Sequence, residues 1–202
     1  RQRISGDIGV LMTIANGYAT LAEFKSYAKI SSTDPTDDGV IEDIIEAASR
    51  YIDRKSGRTF YARSETRYFD MPFDSRELRL DDDLLTITTL TNGDGTVITG
   101  TNYNLIPKNA APYNAIKIKE TATITWTYDS SGESEAVISV AGTWGYSATR
   151  PDDINLVCLA IAQGLYKRRF GENSTGTATI TAAGVVITPD DMPSWAWALL
   201  QA

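Results

Sequence analysis

Two amphipathic helical stretches, Thr36 to Gly57 and Pro151 to Phe170, are separated by a strand-rich segment of about ninety residues. This arrangement constrains the fold more than any other feature. An amphipathic helix must bury its apolar stripe against another element. The two stretches are therefore expected to pair as halves of one helical core, with the intervening segment folded as a β insert. The predicted class is α+β: three main helices and a short C-terminal helix, with an antiparallel β subdomain inserted between the second and third helices. The expected divisions are an N-terminal extension (1–19), the first half of the helical core (20–60), the β-rich insert (61–148), the second half of the helical core (149–170) and a C-terminal arm (171–202).

Local signals place each element. Thr20 and Glu23 have the spacing of a capping box, which opens a first helix ending near Ile30. In the second helix Val40, Ile41, Ile44, Ile45, Ala48, Tyr51 and Ile52 recur every three or four residues and define the buried face. Gly57 is its natural C-terminal cap. From Thr59 the period becomes two. Thr66–Phe69, Glu77–Leu80, Leu84–Leu90, Val97–Thr99, Tyr103–Ile106, Ala115–Lys119, Thr121–Tyr128 and Ala136–Thr143 read as strands. Asn92-Gly93-Asp94-Gly95 is a hairpin turn and Ser130-Ser131-Gly132 a further turn. Pro151, Asp152 and Asp153 open the third helix, whose stripe is Ile154, Val157, Cys158, Ile161 and Leu165. Residues 172–188 read as a flexible arm or loose hairpin, and Asp190 to Ala202 as the terminal helix.

Composition narrows the chemistry. The chain of 202 residues has no histidine and one cysteine. A Ser-His-Asp or Cys-His site cannot be built from it, nor an intrachain disulfide. Cys158 falls in an apolar helical run and reads as a small buried hydrophobe. The net charge of −7 disfavours a freestanding nucleic-acid binder. No run approaches the ~18 apolar residues of a membrane span, and a soluble protein made in the cytoplasm is expected. There is no Gly-Lys dipeptide, hence no Walker A loop, and no GxGxxG. No cofactor or metal is expected, and no pair of acids stands out for a carboxylate enzyme such as a glycosidase.

Four constellations could carry function. Asp81-Asp82-Asp83 could hold a hard cation, but no EF-hand spacing follows, and the expected state is a solvated turn between two strands. Lys167, Arg168 and Arg169 complement the helix dipole, or meet an acidic partner or DNA phosphates. Thr143-Trp144-Gly145-Tyr146-Ser147 either packs the insert onto the helical core or forms an aromatic platform for carbohydrate or bases. Trp195 with Leu199, and Trp197 with Leu200, make the terminal helix apolar on both sides, which suits burial within the chain or in a partner.

The residues of the helical stretches resemble the tailed-bacteriophage head–tail connector (adaptor) family. The resemblance begins at Tyr18-Ala19-Thr20-Leu21-Ala22-Glu23-Phe24-Lys25. It continues through Ile44-Ile45-Glu46-Ala47-Ala48-Ser49-Arg50-Tyr51-Ile52-Asp53 and Ser56-Gly57-Arg58-Thr59-Phe60. Tyr166-Lys167-Arg168-Arg169 and Met192-Pro193 also fit, and the match covers about 100 residues in pieces. The resemblance implies a non-enzymatic structural protein in the virion neck. It would form a homo-oligomeric ring, commonly of twelve subunits, beneath the portal protein. It would extend the DNA channel, let the genome pass without sequence-specific binding, and dock a stopper or tail-completion protein. On this reading Trp195, Trp197, Leu199 and Leu200 are candidates for portal docking. Arg50, Arg54, Arg58, Lys167, Arg168 and Arg169 are candidates for the subunit interface. A stopper or tail-completion protein is the first alternative, and a carbohydrate-binding or adhesin-like module using the insert the second.

Overall fold

The computed structural model describes residues 14–73, 75–170, 179–180 and 186–187. The expected terminal helix, and with it Trp195, Trp197, Leu199 and Leu200, lies outside the described residues, as does most of the 1–19 extension. The chain divides into two compact units, one joining the chain up to Ser56 with the chain from Asp152, the other spanning Gly57–Pro151.

The helical unit contains α1 (Leu21–Ala28), α2 (Asp38–Ser56) and α3 (Asp152–Phe170), all in mutual contact. The capping box at Thr20 forms: the Thr20 hydroxyl accepts from Glu23 N at 3.2 Å, and Glu23 Oε2 accepts from Thr20 N at 2.7 Å. The α1 helix stops without glycine, because Lys29 takes the left-handed conformation at φ 58°. Gly57 (φ +66°) follows the last residue of α2, as its sequence predicts. The buried face of α2 is Ile41, Ile45, Ala48, Ser49 and Ile52, while Val40, Ile44 and Tyr51 are only half-buried. Opposite it, α3 buries Ile154, Val157, Cys158, Leu159, Ile161 and Ala162. Its stripe stops there, and Leu165, expected inside, is 36% exposed. Burying a Leu, Ile or Val side chain is worth ~1.5–3 kcal/mol, so this three-helix contact is ample to hold two sequence-distant halves together.

The sheet unit is a single antiparallel sheet of β1 (Arg63–Phe69), β2 (Glu77–Thr91), β3 (Tyr103–Ile106), β4 (Tyr113–Ile118) and β5 (Ile138–Trp144). The spatial order is β1-β5-β2-β4-β3. In β5, Ile138, Val140, Gly142 and Trp144 alternate inward. Their core is shared with Phe69, Leu78, Leu84, Leu90, Ile116 and Ile118. The long β2 joins the sheet's two halves: Glu77–Arg79 pair with β4 and Leu84–Thr91 with β5.

Three expected strand features differ. Glu77–Leu80 and Leu84–Leu90 are one strand rather than two. Val97–Thr99 forms only a bridge from Val97 to Thr91. Thr121–Tyr128 joins no ladder, because side chains take its backbone groups instead: Asn92 Nδ2 donates to Thr125 O (2.9 Å) and Asn92 Oδ1 accepts from Thr127 N (3.1 Å). The predicted turns at Asn92–Gly95 and Ser130–Gly132 form, with Gly95 N bonded to Asn92 O and Gly132 N to Asp129 O. Two-residue strands β6 (Thr179–Ile180) and β7 (Val186–Ile187) pair antiparallel within the region read as an arm or hairpin.

Candidate interaction surfaces

Asp81-Asp82-Asp83 is not a solvated turn. The three residues lie inside β2, where its register shifts between Arg79 and Leu84. Such a shift bends a strand and re-aims its side chains. Asp81 faces outward at 68% exposed, whereas Asp82 and Asp83 are 13% and 12% exposed. Asp82 Oδ2 accepts from Arg63 Nη2 at 2.7 Å and from Arg67 Nη2 at 2.9 Å. Arg67 also donates to Glu65 (2.5 Å) and Asp81 (2.8 Å), and its guanidinium lies over the Trp144 ring, 4.6 Å from the centroid. Burial works against the Arg67 charge, but the bonds to Glu65 and Asp81 outweigh it and hold its pKa above the ordinary guanidinium value. Asp83 is the opposite case. Desolvation pushes its pKa up; Arg58 at 3.6 Å only partly offsets this, and the Asp82 charge adds to it. The strand expected at Thr66–Phe69 starts at Arg63, so Arg63 and Glu65 join Arg67 on one face; the charges were countable but their partners were not.

Trp144 also departs from expectation. It is fully buried in the sheet core, stacked on Phe69 (centroids 5.9 Å), with Nε1 bonded to Glu65 O at 3.2 Å. A buried ring cannot serve as a glycan or base platform. Tyr146 takes Arg58 over its ring at 5.3 Å and meets Phe60 edge-on. Between the two aromatics, Gly145 sits at φ +131°, and a Cβ there would lie 2.2 Å from Tyr61 O. No other residue fits at that position.

In the helical unit the candidate cations divide by their surroundings. Arg50 is held within its own chain: it pairs with Asp53 at 3.2 Å, donates to Asn16 O at 2.8 Å and lies over the Tyr18 ring. Arg58 belongs to the sheet unit and pairs with Asp83. Arg54 is exposed on α2; Lys167, Arg168 and Arg169 are exposed in the last turn of α3. Tyr18 is buried: its N donates to Ser49 Oγ (2.9 Å), its hydroxyl bonds Asp53, and its carbonyl accepts from Asn155 Nδ2 (2.9 Å). Sequence reasoning did not find Lys25. It is 4% exposed, pairs with Asp38 and donates to Asp34 O at 2.6 Å, closing the loop between α1 and α2. Its position on the apolar stripe beside Phe24 and Ala28 was the available signal. Among the described residues no three His, Cys, Asp or Glu side chains are placed to hold a metal ion, and no helix is long and apolar enough to cross a membrane.

Residues 18–141 match the model of the phage gp6-like head-tail connector proteins. The chain belongs to that family. The match starts at the buried Tyr18, runs through α1, α2 and most of the sheet, and ends inside β5. Solved structures with a similar fold include the neck of an empty gene transfer agent particle computed with C6 symmetry. That match has 16% identity and a TM-score of 0.59, and covers 94% of this chain and 90% of that one. The neck of the native particle computed with C12 symmetry gives 16% and 0.55, covering 90% and 85%. The native gene transfer agent virion gives 17% and 0.54, covering 90% and 86%. No curated protein matches the chain.

Proposed function

We propose that this connector-family chain is a non-enzymatic structural subunit of a virion neck, assembled as a ring beneath the portal. The observation that carries the reading is the family match across 18–141, joined to a fold similar to neck structures computed with C6 and C12 symmetry. In this reading the β-rich segment is an insert on the helical core, the ring extends the DNA channel, and a stopper or tail-completion protein docks on it. The net charge of −7 fits a conduit that genomic DNA must pass without sticking. Portal docking is proposed for Trp195, Trp197, Leu199 and Leu200, whose spacing in the sequence would put apolar side chains on both sides of a helix if one forms there.

Of the cations proposed for the subunit interface, Arg54, Arg58, Lys167, Arg168 and Arg169 are exposed and within reach of a neighbour, while Arg50 is half-buried. Repetition around a ring turns a weak single contact into a firm one. Native mass spectrometry of the full chain, alone and mixed with the portal protein of the same genome, tests the reading. About one copy per portal subunit is expected, and no complex in either condition would overturn it.

A further inference from the structure

One end of the sheet unit is built from two loops tied together. Met71 N donates to Ser134 O at 2.8 Å, and Ala136 N donates to Asp70 Oδ1 at 2.8 Å. At this end Phe73 and Tyr128 meet edge to face, centroids 6.1 Å apart, and stay 67% and 45% exposed. The same loops carry Asp70, Asp129, Glu133 and Glu135; the one cation beside Phe73, Arg76, pairs with Glu120 at 3.3 Å. Single exposed apolar residues are ordinary, but an exposed pair of aromatic rings in mutual contact has the composition of an interface anchor.

The end of α3 has the complementary character. Leu165, Arg168 and Arg169 stand at i, i+3 and i+4 and share one helix face. All three are exposed, and Leu165 is the one member of the predicted stripe that the core leaves out. One surface offers rings and carboxylates; the other offers an apolar knob and guanidiniums.

We propose that the Phe73–Tyr128 tip of one copy docks on the Leu165–Arg168–Arg169 face of α3 in the next copy. The rings cover Leu165. Guanidiniums lie against ring faces and fork onto Glu133 and Glu135. The contact joins two different surfaces, so it is heterologous, and a heterologous contact closes into a ring when its rotation permits. The inference rests on the ring reading above and assigns the two surfaces that build the ring.

The test uses two full-length variants at exposed positions, Glu133→Arg with Glu135→Arg on the tip and Arg168→Glu with Arg169→Glu on the helix. Assembly is read by native mass spectrometry, alone and with the portal protein of the same genome. Circular dichroism confirms folding. Each variant alone should need about tenfold or more protein to half-assemble, since two attractive pairs become repulsive. Mixed in equal amounts, the two should assemble again as strictly alternating one-to-one complexes, because each reversed surface then meets its opposite. Phe73→Ser with Tyr128→Ser should weaken assembly without any change of charge.

Wild-type assembly matched by both reversed variants overturns the proposal and leaves the ring reading standing. So does a mixture that fails to recover. A tip variant that loses only portal binding reassigns the tip to a different protein and overturns the proposal too. A wild-type chain that assembles in neither condition refutes the ring reading itself.

Discussion

Adjacent aspartates in β2 should differ sharply in what they contribute, although the sequence presents them as equals. Replacing Asp82 by Asn keeps the shape but removes the charge that faces Arg63 at 2.7 Å and Arg67 at 2.9 Å. A hydrogen bond to a charged group is worth ~1.5–3 kcal/mol, and an amide oxygen retains part of each bond. Arg63 is 31% exposed and rehydrates in part, while Arg67, at 17%, does so less. The expected loss is about 2 kcal/mol. Asp81→Asn breaks one bond to Arg67 from a carboxylate 68% exposed, and an exposed pair of that kind is worth about 0–0.5 kcal/mol. Hydrogen exchange of the β1 and β5 amides reads the sheet unit by itself, without assuming that both units unfold together. If Asp82→Asn lost less than about 0.5 kcal/mol, or the two variants lost equal amounts, the buried network would carry no weight and the triplet would behave as a solvated turn.

Three further outcomes are expected. Gly145→Ala combines φ +131° with a Cβ 2.2 Å from Tyr61 O; it should cost roughly 3 kcal/mol or more, read as a lost or broadened thermal transition. Asp83 has a folded pKa above its ordinary 3.8, mainly through desolvation. The folded state therefore binds that proton more tightly, and the contribution of Asp83 to stability falls as pH rises from 3.8 through the raised value. Asp83→Asn should remove that part of the acid-range slope in urea titrations, and an unchanged slope would contradict it. Tyr166 donates to Asp37 Oδ2 at 2.8 Å, and this bond, with burial, raises the phenol pKa above 10.0. Its contribution is complete below 10.0 and is lost as pH rises through the folded value. Tyr166→Phe should cost about 1 kcal/mol at neutral pH and flatten the alkaline limb of the stability curve.

The helices were legible because their signals are local. The Thr20–Glu23 box, Gly57 after α2 and the 3–4 spacing of Ile41, Ile45, Ala48 and Ile52 each act within one or two turns. The sheet unit was legible as strands and turns but not as a network. Whether Asp81–Asp83 form a turn or a strand depends on Arg63 and Arg67, which lie fifteen to nineteen residues away along the chain. Thr121–Tyr128 has strand alternation yet joins no ladder, because Asn92, a residue read only as a turn former, satisfies Thr125 and Thr127 with its side chain. Leu165 shows the limit of the period: it continues the α3 stripe in sequence, but the buried face ends a turn earlier. Surfaces were the least legible. Phe73 and Tyr128 are 55 positions apart and meet only because the flanking loops are hydrogen-bonded together.

A cryo-electron reconstruction of the neck of the particle that carries this chain would show directly whether it forms a ring against the portal. The expected map has a portal-adjacent ring layer into which α2, α3 and the five-stranded sheet fit as repeated copies, one sheet tip per neighbouring α3. A portal-adjacent layer that the three helices and the sheet do not fit, with this chain elsewhere in the particle or absent from it, would contradict the ring assignment.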